Sequence, residues 1–408
     1  MKKFGLFITA FLLCIALSSC APVETQKVAV GYNQSLINVC DMGAIPNDGK
    51  DDTLAFKITV NAGESIYVPP GVYDISEPLY VRGNMVLGAG TDKTVIVANI
   101  KKVRDPIIWA GDRTQIRDIT IKFADNCITG TEIAGERCGI ITTAKGDRNL
   151  CRGGAISNVK IQNVGTGVYS PEGGIFTTNG SKGDGTAFSA TFESISVIDF
   201  SYRGIDMQSD HRTGNVYRNL YLSSGKYKAN IAFDLGQAES ESSIAEVTVA
   251  DSKLKVAVHF NNIHGANLTN VNIINTELTE ENTAFVYADE TMVAINNLVF
   301  NNSAPKGDKQ AFIRVGEGAY RSSLNFDKGG YLKVNNMSIF NEKVTASPNS
   351  NQYMLSRDNA YIHGYDVVID NFKVDAPAEL KAQYEGFRFD NRDLDVTVNG
   401  KNLTEEAQ

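Results

Sequence analysis

Ile205-Asp-Met207-Gln208, Ile231-Ala-Phe233-Asp234, Val256-Ala-Val258-His259, Phe285-Val-Tyr287 and Phe312-Ile-Arg314 follow one another between Gly204 and Glu317. In each, apolar residues alternate with other residue types, the two-residue period of a β-strand. Aligned on their apolar positions, the outward neighbours are Gln208, Asp234, His259, Tyr287 and Arg314, at steps of 26, 25, 28 and 27 residues. Two residues further on, a second outward column reads Asp210, Gly236, Asn261, Asp289 and Gly316. A strand-and-turn repeat of this length predicts a β-solenoid, in which each turn of chain stacks on the one before. Stacked strands lie about 4.8 Å apart. Side chains one repeat apart are therefore expected to line one outer wall.

Outward from this stretch a second series recurs, a polar residue followed by alternating apolar ones. Its copies begin at Asp118, Asn158, Ser194, Asn219, Glu246, Asn270, Asn297, Asn336 and Asp366. From Ser194 to Asn297 the steps are 25, 27, 24 and 27 residues, the same period as the first series. Asparagines at these positions suit corners that need left-handed backbone geometry and side-chain ladders. Longer intervals, such as 118–158 and 297–336, predict loops inserted between turns on a binding face. The glycine-rich segment 177–186 has no Gly-Lys-Ser/Thr ending and reads as a flexible loop rather than a phosphate cradle.

The chain has 408 residues, 42% of them hydrophobic, with a net charge of −8 and a pI near 5.2. That balance argues against a nucleic-acid partner, which calls for a basic face. Met1-Lys-Lys3, the apolar run Phe4 to Leu17 and the small residues Ser18 and Ser19 read as an export signal over residues 1–19. Leu17-Ser18-Ser19-Cys20 resembles the bacterial lipobox, which implies lipidation at Cys20, a membrane partner through that lipid, and an outer-membrane or secreted location. The expected divisions are a tether over 20–37, the solenoid over 38–375 and a C-terminal cap or tail over 376–408. Cys40, Cys127, Cys138 and Cys151 remain in the exported body, where disulfides can persist. All three connectivities stay open, with one local bridge expected among Cys127, Cys138 and Cys151.

Asp41-x-Gly43-Ala44, Asn47-Asp48-Gly49, Asp51-Asp52-Thr53 with Phe56, Val68-Pro69-Pro70-Gly71-x-Tyr73-x-Ile75 and Leu87-Gly88-x-Gly90 occur in order over about fifty residues. Together they resemble the entry module of the pectate-lyase-like right-handed β-helix superfamily, shared by phage tailspikes, glycosidase-family-28-related proteins and many polysaccharide lyases. Met42 stands where an aromatic is usual. The resemblance implies an all-β, right-handed parallel β-helix with a short N-terminal capping helix, and points among relatives to exported biofilm-matrix polysaccharide lyases. Asp51 and Asp52 precede apolar residues at helical spacing, so their expected role is helix capping.

Cleavage of a uronate polysaccharide by β-elimination needs a cation at the carboxylate, a base at C5 and an acid at the leaving oxygen. In the first column His259 is the expected base, Tyr287 the acid or, with a depressed pKa, a base, and Arg314 the carboxylate clamp, with Asp234 beside them. Asp206, Gln208, Asp210, His211, Arg212 and Asn261 are the expected substrate contacts, and Arg203, Arg212, Lys226 and Lys228 the local positive charge. Asp206, Asp210 and Asp234 would alternatively serve a glycoside hydrolase, which needs paired carboxylates. The Asn-x-Asp, Asp-Asp and Gly-His-Gly set of family-28 hydrolases is absent. A third reading is a glycan-binding matrix protein without catalysis. The expected partner in all three is an extracellular polysaccharide, acidic for the lyase. No metal-ligand spacing stands out, no cofactor is expected, and Ca²⁺ at the Asn/Asp-rich turns stays open.

Overall fold

A computed structural model describes residues 36–142, 153–170, 189–207, 212–236, 239–240, 242–261, 263–289, 291–316, 330–342, 353–357, 365–385 and 394–403. The chain winds as a right-handed parallel β-helix. In its large sheet every described strand pair is parallel except the closing hairpin of Leu394–Val398 with Lys401–Asn402. Stacking is in register from turn to turn. Ile195, Leu220, Val247, Val271, Leu298 and Met337 succeed one another across five strand pairs. All six are buried, as the alternation in sequence requires.

The polar residues that open the second series are the corners. Asp118, Asn158, Ser194, Asn219, Glu246, Asn270, Asn297 and Asn336 all carry positive φ, between 50° and 62°. This region is steeply unfavourable for most side chains and least so for Asn and Asp. Their amides also bridge turns: Asn297 donates to Asn270 at 2.8 Å, Asn336 to Asn297 at 2.9 Å and Asn371 to Asn336 at 3.0 Å. The last rung differs from the expected one. Asp366 pairs with Tyr331, within the strand, and the corner is Asn371, with φ of 53°. Alternation alone cannot separate the two, because Asp366-Val-Val-Ile369 has the right pattern without the corner conformation.

Inside, aromatic rings pack on one another, some edge to face and some stacked. Phe300 and Phe312 lie 4.9 Å apart and Phe192 and Tyr217 5.0 Å apart, centroid to centroid. A Phe→Ala change in such a core costs about 3–5 kcal/mol. At the N-terminal end the helix Thr53–Asn61 buries Ala55, Phe56, Thr59 and Val60. Asp52 occupies its N-cap position but makes no capping bond, accepting instead from the Ile45 N–H at 2.9 Å. Asp51 takes the Thr53 N–H at 3.0 Å and the Ser76 hydroxyl at 2.6 Å. Only one of the two expected capping carboxylates thus serves the helix.

The sheet outruns the expected boundaries at both ends. Leu36–Asn38 pairs with Ser65–Val68, and Leu394–Val398 pairs with Tyr365–Asp370. Between these, the helix Ala378–Glu385 buries Leu380 and Tyr384, whose ring meets Phe312 edge-on at 5.0 Å. Cys127 and Cys138 carry free thiols, so no bridge joins them. Cys40 Sγ lies 3.6 Å from the Tyr73 hydroxyl, and Cys151 falls outside the described residues.

Candidate active site

One outward column crosses the solenoid from end to end. Its register is Tyr80, Trp109, Ile141, Tyr169, Asp206, Asp234, His259, Tyr287, Arg314 and Ser356. Asp234, His259, Tyr287 and Arg314 are adjacent, as the repeat requires. The member before them is Asp206, not Gln208. The turn from Asp206 to Asp234 is 28 residues long rather than 26, and a two-residue slip leaves the in–out alternation unchanged, so the pattern could not expose it. Gln208, Asp210 and His211 fall outside the described residues. The Arg212–Thr213 strand pairs with Glu239–Ser240 in a separate two-stranded sheet and has no register partner in the column.

The column is outward-facing yet largely covered. Asp206 and Asp234 are 0% exposed, and the Arg203 Nη1 group lies 2.9 Å from Asp206 Oδ2 and 2.7 Å from Asp234 Oδ2. Arg203 is therefore no free surface charge. Burial opposes its charge, but Asp234 and Asp206 together raise its pKa. A buried ion pair of this kind fixes geometry more than it stabilises the fold, since desolvation offsets much of the attraction.

Asp234 also holds His259. Its Oδ1 accepts from His259 Nδ1 at 2.9 Å, while Asp289 Oδ2 accepts from Nε2 at 3.1 Å. Carboxylates on both ring nitrogens require both to be donors, the imidazolium form. Burial disfavours that charge, but the field of Asp234 and the hydrogen bonds to Asp234 and Asp289 outweigh it, and the pKa is pushed up to about 10. His259 is thus a fixed cation at neutral pH and not the proton acceptor expected from its unperturbed pKa.

Tyr287 is partly exposed between two cations. Its ring centroid lies 5.4 Å from that of His259, and the Arg314 guanidinium sits 5.4 Å from it on the ring face. Arg314 is 3% exposed and donates to the backbone carbonyl of Asn282 and to its Oδ1, the latter at 2.9 Å. It is built in behind Tyr287 and does not reach out as a clamp. Asp289 and Asn261, paired in the second column, each present a buried side-chain oxygen, Oδ1 in both, with no hydrogen-bond donor. Asp289 Oδ1 and Tyr287 Oη converge over Gly316, where an added Cβ would collide with the first and sit 2.9 Å from the second. Arg203, Asp289 and Gly316 are the members that sequence reasoning gave no catalytic part. The signal for Asp289 and Gly316 was present in the second column; Arg203 lies three residues before its partner and off both columns.

Among the described residues, no group of three or more His, Cys, Asp or Glu side chains is arranged to hold a metal ion. The site is an acid–base cluster on the outer wall of a right-handed β-helix. Residues 36–255, more than half of the chain, match the family described as rhamnogalacturonase A/epimerase, pectate lyase-like. The protein belongs to that family. A search by sequence among curated proteins returned no match. Solved structures share the fold: a tailspike of an Acinetobacter phage at 13% identity, over 91% of this chain and 64% of that one, with a TM-score of 0.61. A GH87 α-1,3-glucanase catalytic domain with bound tetrasaccharides matches at 13% identity, over 90% of this chain and 68% of that one, with a TM-score of 0.52.

Proposed function

We propose that the protein is a polysaccharide lyase acting on a uronate-containing glycan, with Tyr287 as the proton-transfer residue. Support for action on polysaccharide comes from the family, whose description names a rhamnogalacturonase, an epimerase and likeness to pectate lyase. Support for elimination comes from one observation: the partly exposed Tyr287 phenol is flanked by two cations and converges with the unpartnered Asp289 Oδ1. The hydrolase reading asks for two accessible carboxylates, whereas Asp206 and Asp234 are fully buried and shared by Arg203.

In this mechanism the uronate sits against Tyr287, with the His259 charge lowering the cost of the enolate-like carboxylate that forms. Tyr287 Oη takes the C5 proton as its own hydroxyl proton passes to Asp289 Oδ1. The C5 electron pair forms the C4–C5 double bond, the C4–O4 bond breaks, and the Tyr287 hydroxyl returns a proton to O4. Asp289 then reprotonates Tyr287, so protons balance over the cycle. Once O4 has taken its proton, the Tyr287 phenolate is held with its ring between His259 and Arg314, both favourable to that negative charge.

The test is incubation with polygalacturonate, polymannuronate and polyglucuronate, following near-UV absorbance and reducing ends together. A rise in absorbance reports the unsaturated uronate that only elimination makes. New reducing ends without that rise contradict the lyase reading. The export signal and the lipid at Cys20, which lies outside the described residues, belong to the same proposal. They place the enzyme where such polymers occur, and the mass of the mature N-terminal peptide checks them.

A further inference from the structure

The catalytic column continues toward the N-terminus as aromatic residues, and no step of the mechanism uses them. Tyr80 and Trp109 are register partners one turn apart, with parallel rings at 5° and centroids 6.2 Å apart. Parallel rings at that separation are offset, so each leaves much of a face uncovered by the other. Both residues are partly exposed. The indole N–H of Trp109 is buried, which leaves the rest of the ring as the exposed part. Aromatics that only fill space lie inside this solenoid, as Phe192 and Tyr217 do, both essentially inaccessible. The Tyr80–Trp109 pair is stacked on the outside.

Two further facts give the plate a ligand class. First, the plate is collinear with the site: Trp109 stands six turns from Tyr287 along one column, about 29 Å at the strand spacing. Half-exposed Tyr169 stands between, two turns from Trp109. A ligand touching both plate and site must be a polymer of several sugars lying along the axis. Second, the segment leading into the Trp109 strand carries Lys101, Lys102 and Arg104, all exposed, against one partly exposed acid, Asp105. An otherwise acidic chain, at −8, thus carries three exposed cations five to eight residues before Trp109.

We infer that Tyr80 and Trp109 form a distal subsite that holds an acidic polysaccharide by ring stacking, several sugars away from the bond that is cleaved. This rests on the reading of the protein as one that acts on polysaccharide. It adds that polymer and short oligosaccharide are distinguished far from the reacting atoms.

Trp109 is the single tryptophan of the chain, so its emission reports on the subsite directly. The full-length protein carrying Asp289→Asn, to prevent turnover, is titrated with long-chain polygalacturonate, polymannuronate and polyglucuronate, and with their trisaccharides. At least one polymer is expected to shift Trp109 emission saturably, the trisaccharide of that sugar binding at least tenfold more weakly. Adding Tyr80→Ala weakens polymer binding about tenfold, and Tyr80→Phe, which keeps the ring, restores it. No emission change with any of the three polymers overturns the subsite. So does a shift that Tyr80→Ala leaves intact in a protein whose melting temperature is unchanged. Failure of the lyase reading shows separately, as absence of unsaturated product from the wild type while the emission shift persists.

Discussion

Two columns run along the same solenoid with the same period and opposite characters. At the corners nearly the same residue returns turn after turn, Asn270, Asn297, Asn336 and Asn371, each amide bonded to the one before. On the outer wall two aspartates, Asp206 and Asp234, give way to a different residue type at each following turn, His259, Tyr287 and Arg314. Repetition of one side chain answers a demand that every turn makes, a left-handed corner with its polar groups paired. A succession of different charges, buried at the cost of desolvation, answers no demand of the fold. The contrast separates residues that make the scaffold from residues placed on it.

The sharpest way to break that contrast is to alter the wall and look for loss of rate without loss of fold. Tyr287→Phe removes the hydroxyl alone and is expected to lower turnover on the responsive polyuronate by about 10²- to 10⁴-fold. Circular dichroism and melting temperature should stay near wild type. Arg203→Met is next in size. It leaves Asp206 and Asp234 buried without their cation, and chemical denaturation should show a loss of about 3–5 kcal/mol.

A third effect is one of pH. The folded pKa of His259, about 10, lies above its unfolded value of 6.5. Its contribution to stability is therefore fully present below about pH 6.5 and fades as pH rises through about 10. Denaturation midpoints across that window should fall for the wild type and show a shallower slope in His259→Gln. The smallest effect belongs to the corners. Asn297→Ala keeps turnover unchanged and costs about 1–2 kcal/mol, the penalty of a left-handed alanine. A large rate loss there would erase the distinction between the columns.

Architecture was legible in the sequence because in–out alternation and corner chemistry are repeated many times, and each copy corroborates the others. The corner residues from Asp118 to Asn336 could be listed from sequence alone, and the structure gives every one a positive φ. The site was legible only in part, since each of its residues occurs once. Adjacency of Asp234, His259, Tyr287 and Arg314 followed from the period. Gln208 was set where Asp206 stands because a shift by two preserves the facing of every side chain. Roles were less legible still. A histidine between two carboxylates, and an arginine turned back onto Asn282, depend on what each side chain meets across the turns. Spacing along the chain carries no such information. Asp289 shows the remainder: it is visible in the second column, but only its approach to Tyr287 over Gly316 suggests the role proposed for it.

The central claim, that Asp289 is the proton acceptor behind Tyr287, meets its most direct test in Asp289→Asn, with turnover and melting temperature measured on one preparation. The expected rate on the responsive polyuronate is at least about 10²-fold lower, with binding of the polymer and the melting transition close to wild type. A variant that turns over at the wild-type rate would contradict it.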